Sequence, residues 1–219
     1  MTKSIIILGA SGLIGQAVLN QALENSQIEH VKILVRKSLL LKHPKLTEVI
    51  TDFKNLNDLE MLVNGDALIC CLGTTRKKTP NLQEYKAIDF GLTINIAQLA
   101  KKHNVQQVHL ISAIGADSKS NIFYNRLKGE TEQALINIDF PQTIIYRPSL
   151  LIGKRNEFRF GELVAQKLAP IFDFFLIGEM KKYHSVSARD VAKTIICKIL
   201  MKVQKIEIIQ YREIQSIQQ

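Results

Sequence analysis

Tyr124 and Lys128 stand four residues apart, and Ser112 precedes the tyrosine by a dozen. If the stretch from about Asn121 to Asn137 is helical, that spacing puts the phenol and the ammonium on one face. A positive charge there favours the phenolate, so Tyr124 can pass a proton to or from a substrate oxygen. Ser112 is placed to hydrogen-bond the same oxygen. Such a set suits proton transfer at a carbonyl or alcohol. The plain alternative is an exposed helix pair with an unrelated serine, because five tyrosines in a lysine-rich chain give chance Tyr-x-x-x-Lys matches.

A second group of residues lies near the amino terminus, where Ile5-Ile6-Ile7-Leu8 runs into Gly9-Ala10-Ser11-Gly12-Leu13-Ile14-Gly15. Three glycines between a strand and a helix meet three needs. Gly9 permits the sharp turn, Gly12 lets a diphosphate reach backbone N–H groups, and Gly15 allows close helix packing. The helix N-terminus then faces the anion. Gly9, Ser11, Gly12, Leu13, Ile14 and Gly15 are therefore expected to cradle a dinucleotide. With a nicotinamide dinucleotide in place, hydride transfer joins the proton transfer at Tyr124, and Lys128 also holds the nicotinamide ribose.

The end of the second strand selects the dinucleotide. NAD-binding chains place an acid about 20 residues past the glycines to hold the ribose hydroxyls. Here Leu34-Val35 runs instead into Arg36-Lys37-Ser38, with Glu29 too early and Glu48 too late. A guanidinium at Arg36, assisted by Lys37, suits the 2′-phosphate, so NADP(H) is expected over NAD(H). The alternative is a surface Arg-Lys pair closing a strand. Asp52 is a candidate for the adenine amino group, or else a cap for a helix starting near Asn55. Leu72, Gly73, Thr74 and Thr75 follow the fourth strand and are expected beside the cofactor's ribose and phosphates.

These residues need elements to position them. Short apolar runs alternate with longer stretches of helical periodicity, the pattern of βαβ units with a parallel sheet buried on both faces. Strands are expected at Ile5 to Leu8, His30 to Val35, Glu48 to Thr51, Ala67 to Leu72, Val105 to Ser112, Thr143 to Tyr146 and Ile206 to Ile209. Helices are expected over about 13 to 25, Leu82 to His103, Asn121 to Asn137, Phe158 to Ala169 and Ala188 to Val203, with a polar tail after Tyr211. The stripe Ile88, Leu92, Ile96, Leu99 is the buried face of the second helix. The fold class is α/β, a Rossmann-type doubly wound, mostly parallel sheet with helices on both faces. At 219 residues one domain is expected, with roughly residues 150–190 forming a small substrate-side lobe.

Composition narrows the classes further. Cys70, Cys71 and Cys197 fit neither a disulfide framework nor a zinc-ligand spacing, so a reducing cytosol is the expected compartment and no metal is expected. The first apolar run is broken by glycines and no run reaches membrane-spanning length, which argues against a signal peptide and a membrane partner. A net charge of +9 is scattered, and its densest cluster, Arg76-Lys77-Lys78, lacks aromatics for base stacking. A solvated basic surface that attracts phosphate-bearing ligands is expected, not a nucleic-acid partner.

The Gly-x-x-Gly-x-x-Gly spacing and the order Ser112, Tyr124, Lys128 resemble the extended and atypical short-chain dehydrogenase/reductases. The segments 71–76, 112–117, 124–130 and 146–151 resemble those of the Tat-interacting oxidoreductase family and its bacterial relatives. That resemblance implies an NADP(H)-binding oxidoreductase with Ser112, Tyr124 and Lys128 as its active-site pattern, acting on an unidentified small carbonyl or alcohol. It also implies that Pro148, Ser149 and Leu150 line the nicotinamide side; the bland reading is a proline-terminated strand packed under later helices. Ser187 is expected to cap the late helix. Two other functions stay open: a non-catalytic NADP(H)-binding redox sensor with a protein partner, and a sugar-nucleotide epimerase or dehydratase. The latter is disfavoured by the roughly 70 residues that follow Arg147, too few for a large sugar-nucleotide lobe.

Overall fold

The computed structural model describes residues 2–152, 178–201 and 204–218. Strand β1 (Lys3–Leu8) is an interior strand of a seven-stranded sheet. Ile5 and Ile7 point into one core cluster, Ile6 and Leu8 into the other. That alternation is the two-residue period of a strand covered on both sides, and it explains why four consecutive isoleucine and leucine residues suit this position.

From β1 the chain runs through helix α1 (Leu13–Glu24) to β2 (Ile28–Val35) and then to β3 (Leu46–Ile50) at the sheet edge. It returns to the other side of β1 with β4 (Ala67–Cys70), and β5 (Gln107–Ile111), β6 (Gln142–Tyr146) and β9 (Ile206–Ile209) extend outward from there. Strand pairing is parallel throughout, in the order β3-β2-β1-β4-β5-β6-β9. This is the expected Rossmann-type doubly wound sheet. The order reverses between β1 and β4, where the crevice beyond the strand ends takes ligands in such sheets.

Helix α1 and the late helix α5 (Ala188–Leu200) share one core cluster, and α3 (Thr93–Lys102) and α4 (Phe123–Asn137) cover the opposite face. Ser187 caps α5 as expected, its hydroxyl accepting the Asp190 N–H at 3.0 Å. Asn55, not Asp52, caps a 3-10 turn at Leu56–Leu62. A small parallel pair, β7 (Leu151–Ile152) with β8 (Val186–Ser187), follows the main sheet's β6 and leads into α5.

Three expectations are corrected. The helix expected over 82–103 is α2 (Leu82–Lys86), then a wider π turn at Ala87–Leu92, then α3. The π turn rotates the inward face, so Tyr85, Asp89 and Thr93 are buried while Ile88 and Leu92 are only partly covered. The tail after Tyr211 is a helix, α6 (Tyr211–Ser216), closed by a capping box between Gln210 and Glu213 and anchored by the buried Ile214. Strands β4 and β5 also stop at Cys70 and Ile111, short of the apolar runs that suggested them, because the chain leaves the sheet there for its loops. The helix expected over Phe158 to Ala169 lies outside the described residues.

Candidate functional site

The glycine turn is built as its spacing requires. Gly9 has φ +89°, and a side chain there would meet the Cys71 backbone at 2.8 Å. A Cβ on Gly15 would lie 2.2 Å from the Gly9 carbonyl oxygen, so only glycine lets α1 start this close to the end of β1. Gly12 is the N-cap of α1; no side chain caps the helix, and its first turn carries no acid. The open N–H groups and the partial positive charge of this helix end fit a diphosphate. Ser11 is exposed here, Leu13 half-buried and Ile14 buried.

Arg36 and Lys37 follow β2 and are both exposed, and neither makes an ion pair among the described residues. Glu48 on β3 is occupied: it accepts from the Ser38 hydroxyl at 2.6 Å and the Leu39 N–H at 2.9 Å, fixing the loop that carries the two cations. Asp52 is exposed and turns back on its own loop, accepting the Lys54 N–H at 3.0 Å. That backbone hydrogen bond holds its carboxyl below the usual carboxylate range.

The loop after β4 is anchored from below by Asp89, a residue the sequence reading did not single out. Asp89 Oδ1 accepts the Thr74 N–H at 2.8 Å, and the Tyr85 hydroxyl donates to the Thr74 carbonyl at 3.1 Å. Thr74 and Thr79 share a hydroxyl–hydroxyl bond of 2.8 Å, while Gly73 stays exposed at the tip. Asp89 Oδ2 makes no hydrogen bond and faces Lys128 Nζ at 3.5 Å. Regular helical periodicity puts Asp89 off the Ile88, Leu92, Ile96, Leu99 stripe, so no signal in the sequence marked it.

Tyr124 and Lys128 come together on the first turns of α4, as their spacing predicts. Tyr124 is 42% exposed, and the Lys128 ammonium lies 6.0 Å from its ring centre. Lys128 also reaches the Ile111 carbonyl at 3.4 Å. Beside it, Phe123 packs edge-on against Tyr85, their ring centres 5.6 Å apart, joining this turn to the Thr74 loop.

Ser112 is placed differently from expectation. It is only 4% exposed, and its hydroxyl donates to Glu132. Arg147 grips the same carboxylate, with Nε at 3.0 Å from Oε1 and Nη2 at 2.5 Å from Oε2. Neither Glu132 nor Arg147 was singled out in the sequence. Pro148 is buried, its carbonyl accepting the Ile114 N–H at 2.9 Å, and Ser149 donates to the His184 carbonyl. Leu150 is half-buried, and its carbonyl accepts the Val186 N–H at 2.9 Å.

The two adjacent cysteines at the end of β4 are unreactive. Burial pushes the Cys70 thiol up to about 12 and the Cys71 thiol higher still, so neither is a thiolate at neutral pH. Among the described residues no group of three or more His, Cys, Asp or Glu side chains could hold a metal ion. No helix among them is long and apolar enough to cross a membrane.

Comparison with known proteins shows the family and the fold. The model of a family described as NAD(P)H-binding matches residues 9–200. Protein HTATIP2 of Rattus norvegicus is 32% identical over 169 residues, covering 75% of this chain and 69% of that protein. Protein FMP52, mitochondrial, of Kluyveromyces lactis is 34% identical over 173 residues, covering 76% of each. Among solved structures, the Bordetella bronchiseptica enzyme WbmH in complex with NAD+ superposes with a TM-score of 0.72 at 17% identity, over 94% of this chain and 75% of that one. MoeE5 in complex with UDP-glucose and NAD gives 0.71 at 14%, over 97% and 80%. At those identities the two structures speak for the fold alone.

Proposed function

This chain belongs to the NAD(P)H-binding family, and on that premise we propose that it is an NADP(H)-dependent oxidoreductase of the atypical short-chain type, acting on a small carbonyl or alcohol. The observation that carries the proposal is the Tyr124–Lys128 pair. It stands at the carboxyl edge of the sheet, beside the Thr74 loop that Asp89 ties to the same lysine.

Gly9, Ser11, Gly12, Leu13, Ile14 and Gly15 would hold the diphosphate at the start of α1. Arg36 and Lys37 would take the 2′-phosphate, which is the basis for preferring NADP(H); Asp52 would face the adenine. Leu72, Gly73, Thr74 and Thr75 would run along the ribose and phosphates, with Pro148, Ser149 and Leu150 on the nicotinamide side. When bound, the nicotinamide supplies or accepts the hydride. In the reducing direction Tyr124 Oη gives its proton to the carbonyl oxygen, and the resulting phenolate is reprotonated from solvent. Lys128 would hold the nicotinamide ribose beside Tyr124, while Asp89 keeps the lysine and the Thr74 loop in register.

The free thiols of Cys70, Cys71 and Cys197 suit a reducing compartment, for which we propose the cytosol. Cell fractionation tests that against the mitochondrial destination in the names of its fungal relatives. The catalytic reading is tested by NADPH oxidation against a panel of small aldehydes, ketones and quinones. The parent is expected to turn over at least one of them, and Tyr124→Phe to lose more than about 100-fold of that rate. Turnover that persists in Tyr124→Phe would remove the assigned proton donor.

A further inference from the structure

The buried group formed by Ser112, Glu132 and Arg147 joins the ends of two strands to the helix that carries Tyr124. Ser112 directly follows β5 and Arg147 directly follows β6, with the Ser112 N–H bonded to the Tyr146 carbonyl at 2.8 Å. Glu132 lies on α4, one turn beyond Lys128. Glu132 is 4% exposed and both its carboxylate oxygens are engaged: Oε1 receives the Ser112 hydroxyl and Arg147 Nε, and Oε2 receives Arg147 Nη2.

A serine hydroxyl has one proton to donate, and a carboxylate paired with a guanidinium only accepts. While the Ser112–Glu132 bond holds, Ser112 has no proton for a substrate oxygen. The two-point Arg147–Glu132 contact fixes the carboxylate where Ser112 meets it, so the hydroxyl keeps a charged acceptor inside the fold. The pairing also raises the Arg147 pKa, chiefly through its hydrogen bond to Glu132.

We propose that Glu132, clamped by Arg147, is a positioning residue that keeps the Ser112 hydroxyl inside the fold and sets α4 against the ends of β5 and β6, so that Tyr124 and not Ser112 donates to the substrate. This rests on the oxidoreductase reading above. Its consequence is that the active-site serine suggested by the sequence order is part of a structural latch, and that the reaction runs on a tyrosine–lysine pair.

The full chain tests this with Ser112→Ala, Glu132→Gln, Glu132→Asp and Tyr124→Phe, each assayed by NADPH oxidation against the same carbonyl panel and by fluorescence titration with NADPH. Ser112→Ala is expected to keep kcat within about three-fold, where Tyr124→Phe loses more than about 100-fold. Glu132→Gln is expected to lower kcat about ten-fold with KM for the carbonyl changed less than about two-fold, and Glu132→Asp to restore part of the loss. A Ser112→Ala loss as deep as that of Tyr124→Phe would overturn the proposal, and so would an unchanged kcat in Glu132→Gln. If the parent oxidises NADPH with no carbonyl, the oxidoreductase reading fails by itself. The latch is then judged on cofactor affinity, through Lys128 on the same helix. Glu132→Gln should weaken NADPH binding at least about five-fold while Ser112→Ala leaves it unchanged, and equal affinity in all three proteins would overturn it.

Discussion

Asp89 and Lys128 form an ion pair at 3.5 Å in which both side chains are almost wholly buried, at 1% and 6% exposure. Breaking such a pair from one side leaves the other charge stranded in the interior. Asp89→Asn is therefore expected to cost about 3 kcal/mol of folding stability. The combined Asp89→Leu, Lys128→Met protein should recover part of that stability in denaturant melts, but none of the turnover. Equal stability of Asp89→Asn and the parent would show that the pair is not closed in solution.

Gly15→Ala tests the packing of the glycine turn. The added methyl would stand 2.2 Å from the Gly9 carbonyl oxygen, a backbone atom that cannot swing aside. Overpacking of that kind costs about 2 kcal/mol, and it displaces the N–H groups that face the diphosphate. Thermal melting should show the lower stability, and titration should show NADPH affinity reduced about ten-fold or more.

Arg36→Ala tests the choice of dinucleotide. Arg36 is exposed and makes no ion pair among the described residues, so its removal should leave the fold intact. A charge-assisted contact to phosphate is worth roughly 1.5–3 kcal/mol. NADPH affinity should fall about ten-fold or more while NADH affinity stays level. A parent that binds the two coenzymes equally would contradict the assignment.

His109 makes a pH-dependent contribution. It is fully buried between the Tyr146 hydroxyl at 3.0 Å and the Gln107 side chain at 3.3 Å. Burial, reinforced by the Lys198 charge, lowers its pKa to about 3 from the usual 6.5. Between those values the unfolded chain binds the proton and the folded one does not. Stability from this residue is thus complete above about pH 6.5 and is lost as pH falls toward 3. The loss has a slope of at most about 1.4 kcal/mol per pH unit. His109→Gln should flatten that slope in urea melts taken across the acid range.

The elements that depend on neighbours in sequence were legible before the structure. Ile5 to Leu8 is buried on alternate faces, Gly9 and Gly15 stand where backbone must approach backbone, and Ser187 caps the helix after it. Tyr124 and Lys128 fall on one helical face because a four-residue step is a local relation. Asp89 was hidden because the π turn at Ala87–Leu92 moves the inward face away from the Ile88 and Leu92 stripe that regular periodicity selects. The true environment of Ser112 was hidden for another reason. Glu132 and Arg147 reach it from α4 and from the residue after β6, both later in the chain, and no spacing rule connects the three.

A crystal structure of the full chain with NADPH measures the central claim most directly. The account predicts the diphosphate against the Gly9 to Gly15 turn, the 2′-phosphate at Arg36, and the nicotinamide beside Tyr124 and Lys128. A coenzyme bound elsewhere, or lying in the turn with its nicotinamide turned away from Tyr124, would contradict it.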